Sequence, residues 1–198
     1  MNTAGPPKAA VIYLGSSAIY LKIAEKQSKK LGIIEKVEYP LNLGHDTFTS
    51  NKISFEKVNE LCEILNRFLR LINDYQVETV KTVATTAIRE ADNRAYILDQ
   101  IKVKTGLEVE VFDDTEEKKY IYQGIYRRLK NNLYFSAEEA LISYIGTGRL
   151  GVAVYSQGRL ESSQNIRIGS LKLSEILGDI QEKTDKFYIV VKEYLSSF

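Results

Sequence analysis

The chain reads as an α/β protein whose opening design is used twice, once completely and once in part. Residues 8 to 25 alternate and cluster as two strands around the small-residue turn Gly15-Ser16-Ser17. The apolar period then changes to a helical one from Ser54 to Asp74. After Asn131-Asn132 the opening layout returns in ALISYIGTGRLGVAVYSQGRLESSQNI: strand, glycine-rich turn, strand, tight Gln157-Gly158 turn and a third strand. VIYLGSS and ISYIGTG share tyrosine, an aliphatic residue, glycine and a small hydroxyl residue in the same order, the mark of an internal duplication.

The elements follow in order. A third strand is expected at about 31 to 41, closed by Pro40 and an LGHDT turn that carries His45, the chain's one histidine. No metal-binding spacing surrounds that histidine, so it reads as a solvated loop residue. In the helix that follows, Val58, Leu61, Cys62, Leu65, Phe68, Leu69 and Ile72 fall on one face, with Ser54 at the N-cap. Cys62 lies on that face and reads as core. Next come a strand at 78 to 84, a Thr85-Thr86 turn and a helix ending near Gly106. LEVEVF is a short strand, and DTEEKKYIYQGIYRRLK is a helix with acids in its first turn and bases in its last, as the helix dipole favours. Beyond the second set of strands, IGSLKLSEILGDI reads as a helix and FYIVVKEYL as strand or helix. The domains expected are therefore a first α/β lobe over 1–130 and the start of a second, truncated or abbreviated, over 131–198.

Composition sets the outer bounds. The 198 residues are 44% hydrophobic and 27% charged, an ordinary balance for a soluble globular protein. No apolar run approaches the roughly 18 residues that span a bilayer, so no membrane partner is expected. The N-terminus shows no signal-peptide pattern, and a single cysteine suits a reducing cytoplasm. A net charge of +1 offers no general footprint for nucleic acid, so any anion site must be local. The basic run KKYIYQGIYRRLK reads as a solvated helix face.

Four stretches together resemble the N-terminal part of the exopolyphosphatase and guanosine pentaphosphate phosphohydrolase (Ppx/GppA) family. They are AVIYLGSSAIYLKIAE, YPLNLGHDTFTSNKISFEKV, VATTAIREADN followed by TGLEVEVFDDTEEKKYIY, and YIGTGRLGVAVYSQGRL followed by IGSLKLSEI. The resemblance implies the duplicated actin-like ATPase (ribonuclease H-like) fold, with a cleft in which two turns hold a polyphosphate chain or nucleotide phosphate. The family's first turn is similar to DLGSNSFRL. Here Gly15 and Ser16 match, whereas Tyr13 stands for the Asp, Ser17 for the Asn, Ala18 for the second Ser and Tyr20 for the Arg. Its second turn is similar to DIGGGSTE. Gly146 and Gly148 match with Thr147 between them, while Tyr144 replaces the Asp, Arg149 the Ser and Gly151 the Glu. Arg89 matches an arginine of the family's active cleft. Glu116, or Glu117 beside it, matches the glutamate that acts there as general base.

The replacements carry chemical weight. Magnesium, the cofactor the resemblance implies for an active member, prefers charged oxygen ligands, and a tyrosine is neutral at pH 7. Without its acids the site loses most of what phosphoryl transfer needs, although glycine turns still offer backbone N–H groups to an anion. The residues also have plain structural readings: Arg89 and Glu90 suit an exposed helix start, Glu116 and Glu117 a helix N-terminus, and Tyr13 and Tyr144 strand packing. Three functions stay open on the sequence. They are a degenerate domain binding polyphosphate, a guanosine phosphate alarmone or a regulatory partner; a working phosphohydrolase with Glu116 as base; and a structural lobe docking onto a further C-terminal domain or a second copy as a homodimer.

Overall fold

Alternation over the opening residues builds a meander in which every second side chain faces inward. The computed structural model describes residues 5–28, 30–129, 139–157, 159–166, 169–171, 173–174 and 187–196. Strands β1 (Lys8–Leu14), β2 (Ala18–Gln27) and β3 (Lys30–Pro40) pair antiparallel, with a bulge between Ile23 and Ala24. Helices α1 (Leu43–Ser50) and α2 (Phe55–Asp74) form the crossover that a parallel strand requires. Strand β4 (Thr79–Ala84) then joins β1 in parallel. Helices α3 (Thr86–Glu90) and α4 (Arg94–Thr105) lead to β5 (Val109–Val111), parallel to β4, giving the sheet order β3-β2-β1-β4-β5.

The core of this unit sits between the sheet and its helices. Ile12 and Leu14 of β1, Ile19, Leu21 and Ile23 of β2, and Val58, Leu61, Ile64, Leu65 and Phe68 of α2 are buried together with Ile97 and Ile101 of α4. Burying a side chain of this size contributes roughly 1.5–3 kcal/mol. Cys62 belongs to the same cluster, and burial pushes its thiol pKa up, as suits a core residue.

Two local expectations need correction. LGHDT is not a turn but the first part of α1, and His45 is an exposed residue of that helix. Tertiary contacts override its weak propensity: Leu43 is buried, and the Thr47 hydroxyl donates to the Ala87 carbonyl at 2.9 Å. The single helix expected between Thr86 and Gly106 is two. Ala91 is extended, and the Asn93 side chain accepts from Ile53 N–H at 3.1 Å and donates to its carbonyl at 2.8 Å, which fixes the break. Gly106, at φ 73°, ends α4 in the left-handed conformation, with its N–H on the Lys102 carbonyl.

The chain divides into the units Met1–Asp113 and Asp114–Phe198. In the second, helix α5 (Asp114–Leu129) precedes an antiparallel sheet of β6 (Glu139–Ile145), β7 (Leu150–Ser156) and β8 (Arg159–Ile166). The helix read as the last of the first lobe thus groups with the second sheet. Tyr122, the largest buried side chain of α5, packs with Ile142 and Ala153, and Tyr126 stacks on Tyr155 at 5.0 Å. On α5, Lys119, Arg127 and Arg128 are exposed, so these bases of the run do decorate a solvated face. FYIVVKEYL resolves as helix α6 (Phe187–Ser196). Of the helix expected at IGSLKLSEILGDI, residues 170, 171, 173 and 174 are helical. Asn131-Asn132, Gly158 and residues 175–186 lie outside the described residues.

Phe68 anchors α2 under the sheet at 2% exposure. We expect Phe68→Ala to cost about 3–5 kcal/mol, read from the urea midpoint followed by circular dichroism.

Candidate functional site

Each unit places a reverse turn between its first two strands, and the two turns are built alike. In the first, Gly15 N–H donates to the Ala18 carbonyl at 3.1 Å; in the second, Gly146 N–H donates to the Arg149 carbonyl at 2.7 Å. Each turn's carbonyls are then held by the segment that follows the third strand. Gly44 and Leu41 N–H donate to Ser16 and Ser17, and Ser170 and Leu171 N–H donate to Gly146 and Thr147. The second sheet even repeats the bulge, between Val154 and Tyr155, at the position matching Ile23 and Ala24. The duplication legible in VIYLGSS and ISYIGTG is therefore one of hydrogen bonds as well as letters.

The side chains around the first turn are committed to one another. Ser16 is buried, and Ser17 is exposed. Tyr13 is half-buried; its hydroxyl lies 3.1 Å from the Thr85 Oγ1, and its ring is 5.9 Å from that of Tyr20, its cross-strand partner. The Tyr20 hydroxyl donates to Glu38 at 3.2 Å, and burial followed by that carboxylate raises its pKa. Arg89 stands on α3, which follows β4, the parallel neighbour of β1. It donates from Nη1 to the Phe112 carbonyl at 2.8 Å and from Nη2 to the Thr86 hydroxyl at 3.0 Å. These contacts tie α3 to the exit of β5.

The second turn is tied to the first turn of α5. Gly148 and Arg149 are buried, and Thr147 is half-buried. Arg149 pairs with Asp114 through one charge-assisted hydrogen bond, Nη1 to Oδ2 at 2.9 Å, and one ion contact, Nη2 to Oδ1 at 2.8 Å. The Tyr144 ring meets Tyr122 edge-on at 5.6 Å. Burial first, and the Glu117 charge next, raise the Tyr144 pKa, with Asn165 and Arg149 acting the other way and Asp114 adding to the rise. Tyr122 is pushed up to about 12, mainly by burial and then by Tyr144. Of the two candidate bases in the first turn of α5, Glu116 is exposed and Glu117 half-buried beside Tyr144.

Neither tyrosine fits magnesium. The Tyr13 hydroxyl lies against that of Thr85 and the Tyr144 ring packs on Tyr122, and neutral phenols do not replace carboxylates as ligands for a hard cation. Among the described residues, no group of three or more His, Cys, Asp and Glu side chains is placed to hold a metal ion. No described helix is long and apolar enough to cross a membrane.

Sequence reasoning missed Asp114, Tyr122, Asn165 and Gly169. A Cβ on Gly169 would collide with the Thr147 carbonyl group and the Gly148 nitrogen, so only glycine seats this backbone on the turn. The signal was present: an aliphatic–glycine pair follows the third strand in both units, as Leu43-Gly44 and Ile168-Gly169.

The order of strands and the paired turns define an α/β protein of the actin-like ATPase fold class. The profile of the Ppx/GppA phosphatase family matches residues 22–176, and the chain belongs to that family. It is 26% identical over 120 residues to a guanosine-5'-triphosphate,3'-diphosphate pyrophosphatase of Aliivibrio fischeri strain MJ11, covering 61% of this chain and 24% of that protein. A Photobacterium profundum protein of the same description is 28% identical over 119 residues, 60% of this chain and 24% of its own length. A crystal structure of the Aquifex aeolicus Ppx/GppA family member superposes with a TM-score of 0.72 at 28% identity, over 86% of this chain and 54% of that one. The Cytophaga hutchinsonii exopolyphosphatase superposes at 0.75 with 18% identity, over 96% and 64% respectively, a likeness of fold. The chain thus spans about a quarter of the curated relatives it matches and 54% to 64% of these two solved structures.

Two outcomes test the second turn's construction. Gly169→Ala should lower the denaturation midpoint, because the atoms it would meet are backbone and cannot rotate aside; overpacking of this kind costs about 1–3 kcal/mol. Tyr122 contributes a pH dependence whose sign is fixed. Its raised pKa means that the stability from burying a neutral phenol is present below about pH 10 and is lost as pH rises through about 12. Chemical denaturation across that window should show a shallower alkaline decline for Tyr122→Phe than for the wild type.

Proposed function

We propose that this chain is a degenerate Ppx/GppA domain that binds a phosphate-rich ligand, a polyphosphate or a guanosine phosphate alarmone, in a regulatory role without efficient metal-dependent hydrolysis. One observation carries the reading. Both positions at which the family resemblance expects an aspartate hold tyrosines, and each tyrosine is engaged with its own neighbours, Tyr13 with Thr85 and Tyr144 with Tyr122. What supports retained binding is the backbone: both glycine turns keep the same internal hydrogen bond, and such turns present N–H groups to anions without needing acids. Gly15, Ser16 and Ser17 are the residues of the first cradle, and Gly146, Thr147 and Gly148 those of the second.

A working phosphohydrolase is the second reading, favoured by the exposure of Glu116 in the first turn of α5. General-base catalysis contributes on the order of 10²–10⁴ in rate, which leaves most of the barrier to a metal and a phosphate cradle. Magnesium would have to be held by residues other than Tyr13 and Tyr144. A structural lobe docking onto a further domain or a second copy is the third reading, and like a cytoplasmic setting it rests on the sequence alone.

Phosphate release from long-chain polyphosphate and from guanosine pentaphosphate with magnesium decides between the readings. We expect no release above background from the wild type, together with saturable binding of at least one of the two ligands by calorimetry. Turnover at ordinary enzyme rates, abolished by Glu116→Gln in a protein of unchanged circular dichroism, would establish the hydrolase instead.

A further inference from the structure

We infer that the outer face of the first sheet is a docking surface for an acidic amphipathic helix of a partner protein, held by unpaired lysines around a group of exposed apolar side chains. The inference does not depend on the proposed phosphate ligand and uses other residues.

Register builds the face. Residues paired across neighbouring strands point to the same side of a sheet, and successive residues of one strand to opposite sides. Ala10, Ile12 and Leu14 belong to the core formed with α2 and α4, so Ala9 and Val11 point the other way. Read across the strands from β3 to β4, one row on this outer side is Lys36, Lys22, Val11 and Lys81. The next row carries Ile33, Ala24 and Ala9, and beyond it Leu31 lies opposite Lys26.

Two features of these rows call for a partner. Leu31, Ile33 and Val11 are 72%, 63% and 45% exposed, although each lies on a sheet whose other face is well packed. Lys22 also stands directly opposite Lys36, and like charges so placed cost stability. Lys81, in the same row, is answered by Glu110 at 2.7 Å, whereas among the described residues no carboxylate pairs with Lys22, Lys26 or Lys36. Glu38, farther along the same face, accepts from its cross-strand partner Tyr20.

Architecture and charge together name the occupant. Strands β1, β4 and β5 run parallel, and sheets built on parallel strands are ordinarily covered by helices on both faces. A helix laid here would bury Val11, Ile33 and Leu31 under its apolar stripe, and carboxylates on its flanks would meet Lys22, Lys26 and Lys36. A second copy of the chain fits poorly, because a two-fold contact would set the same lysines against one another. A flat anionic membrane fits less well than a helix: Ala9 and Ala24 are short beside the lysines, and a convex surface reaches them.

The test titrates the full chain, by fluorescence anisotropy, against a labelled amphipathic peptide with leucine on one face and glutamate on the other. A leucine–lysine peptide of the same pattern is its counterpart. The acidic peptide should bind saturably and roughly tenfold more tightly than the basic one, and added salt should weaken it. Lys22→Glu/Lys36→Glu and, separately, Val11→Ser/Ile33→Ser should each weaken binding by roughly tenfold. Lys22→Glu alone guards against a double variant that fails to fold. It turns the like-charge pair into an opposite one, so its urea midpoint should be no lower than that of the wild type while binding still falls. Equal affinity for the two peptides, or binding that neither lysine variant changes, would overturn the inference. So would lysine-dependent binding to phosphatidylserine vesicles without binding of the acidic peptide, which would give the face to a membrane, or a concentration-dependent dimer abolished by Lys22→Glu, which would give it to a second copy.

Discussion

One short hydrogen bond organises each unit: the N–H of a glycine returning to the carbonyl three residues on, from Gly15 to Ala18 and from Gly146 to Arg149. That bond reverses the chain between two antiparallel strands and so sets which residues face each other across the pair. Register in a sheet leaves no freedom after that, because a slip by one residue would turn every inward side chain outward. In the first unit it places Ile12 opposite Leu21, both fully buried, and Tyr13 opposite Tyr20. In the second it places Tyr144 opposite Gly151. The side-chain chemistry of each turn is thus a consequence of backbone geometry that the two units share.

The shared geometry explains why the same replacement, a tyrosine where the family resemblance expects an aspartate, has two structural outcomes. A phenol ring is much larger than a carboxylate and needs a wall to lie against. Where the opposite residue is Tyr20, the ring stays half-buried and its hydroxyl finds Thr85; where the opposite residue is Gly151, the ring lies across the strand pair. Tyr144 joins a small apolar cluster with Tyr122, Ile142 and Ala153, so its ring is a structural element of the second unit rather than a substituent on its surface.

The framework was legible because its signals are periodic. The seven-residue apolar stripe read on α2 lies at or beside the core, with Leu69 half-buried and Ile64 added, and the repeated turn exposed the duplication. What failed were short segments whose conformation is imposed from outside. LGHDT has turn-like composition and becomes helical because Leu43 is buried and Thr47 is bonded to α3. The break before Arg94 depends on the Asn93 amide reaching Ile53, a contact between residues 40 positions apart that no local pattern encodes. At the turns, sequence comparison exposed the missing acids but not what replaced them. Asp114 and Asn165 come from other elements, and Gly169 matters through a backbone approach that leaves no trace in hydropathy.

Electrostatics gives the three changes at the second turn a common logic. An aspartate at position 144 would sit among the charges that act on Tyr144, of which Glu117 and Asp114 are acidic. Like charges at such a site raise one another's pKa and cost stability unless a cation is shared among them. A bound divalent metal would supply that cation in a hydrolytic member. With a neutral phenol at 144 the demand disappears, and Arg149 neutralises Asp114 directly through two short contacts. The Arg149–Asp114 pair is therefore neutral without a bound cation. Loss of the acid, arrival of the arginine and the opening made by Gly151 then act as one steric and electrostatic change, and reversing any single member leaves either a crowded ring, an unshared carboxylate or a misplaced guanidinium.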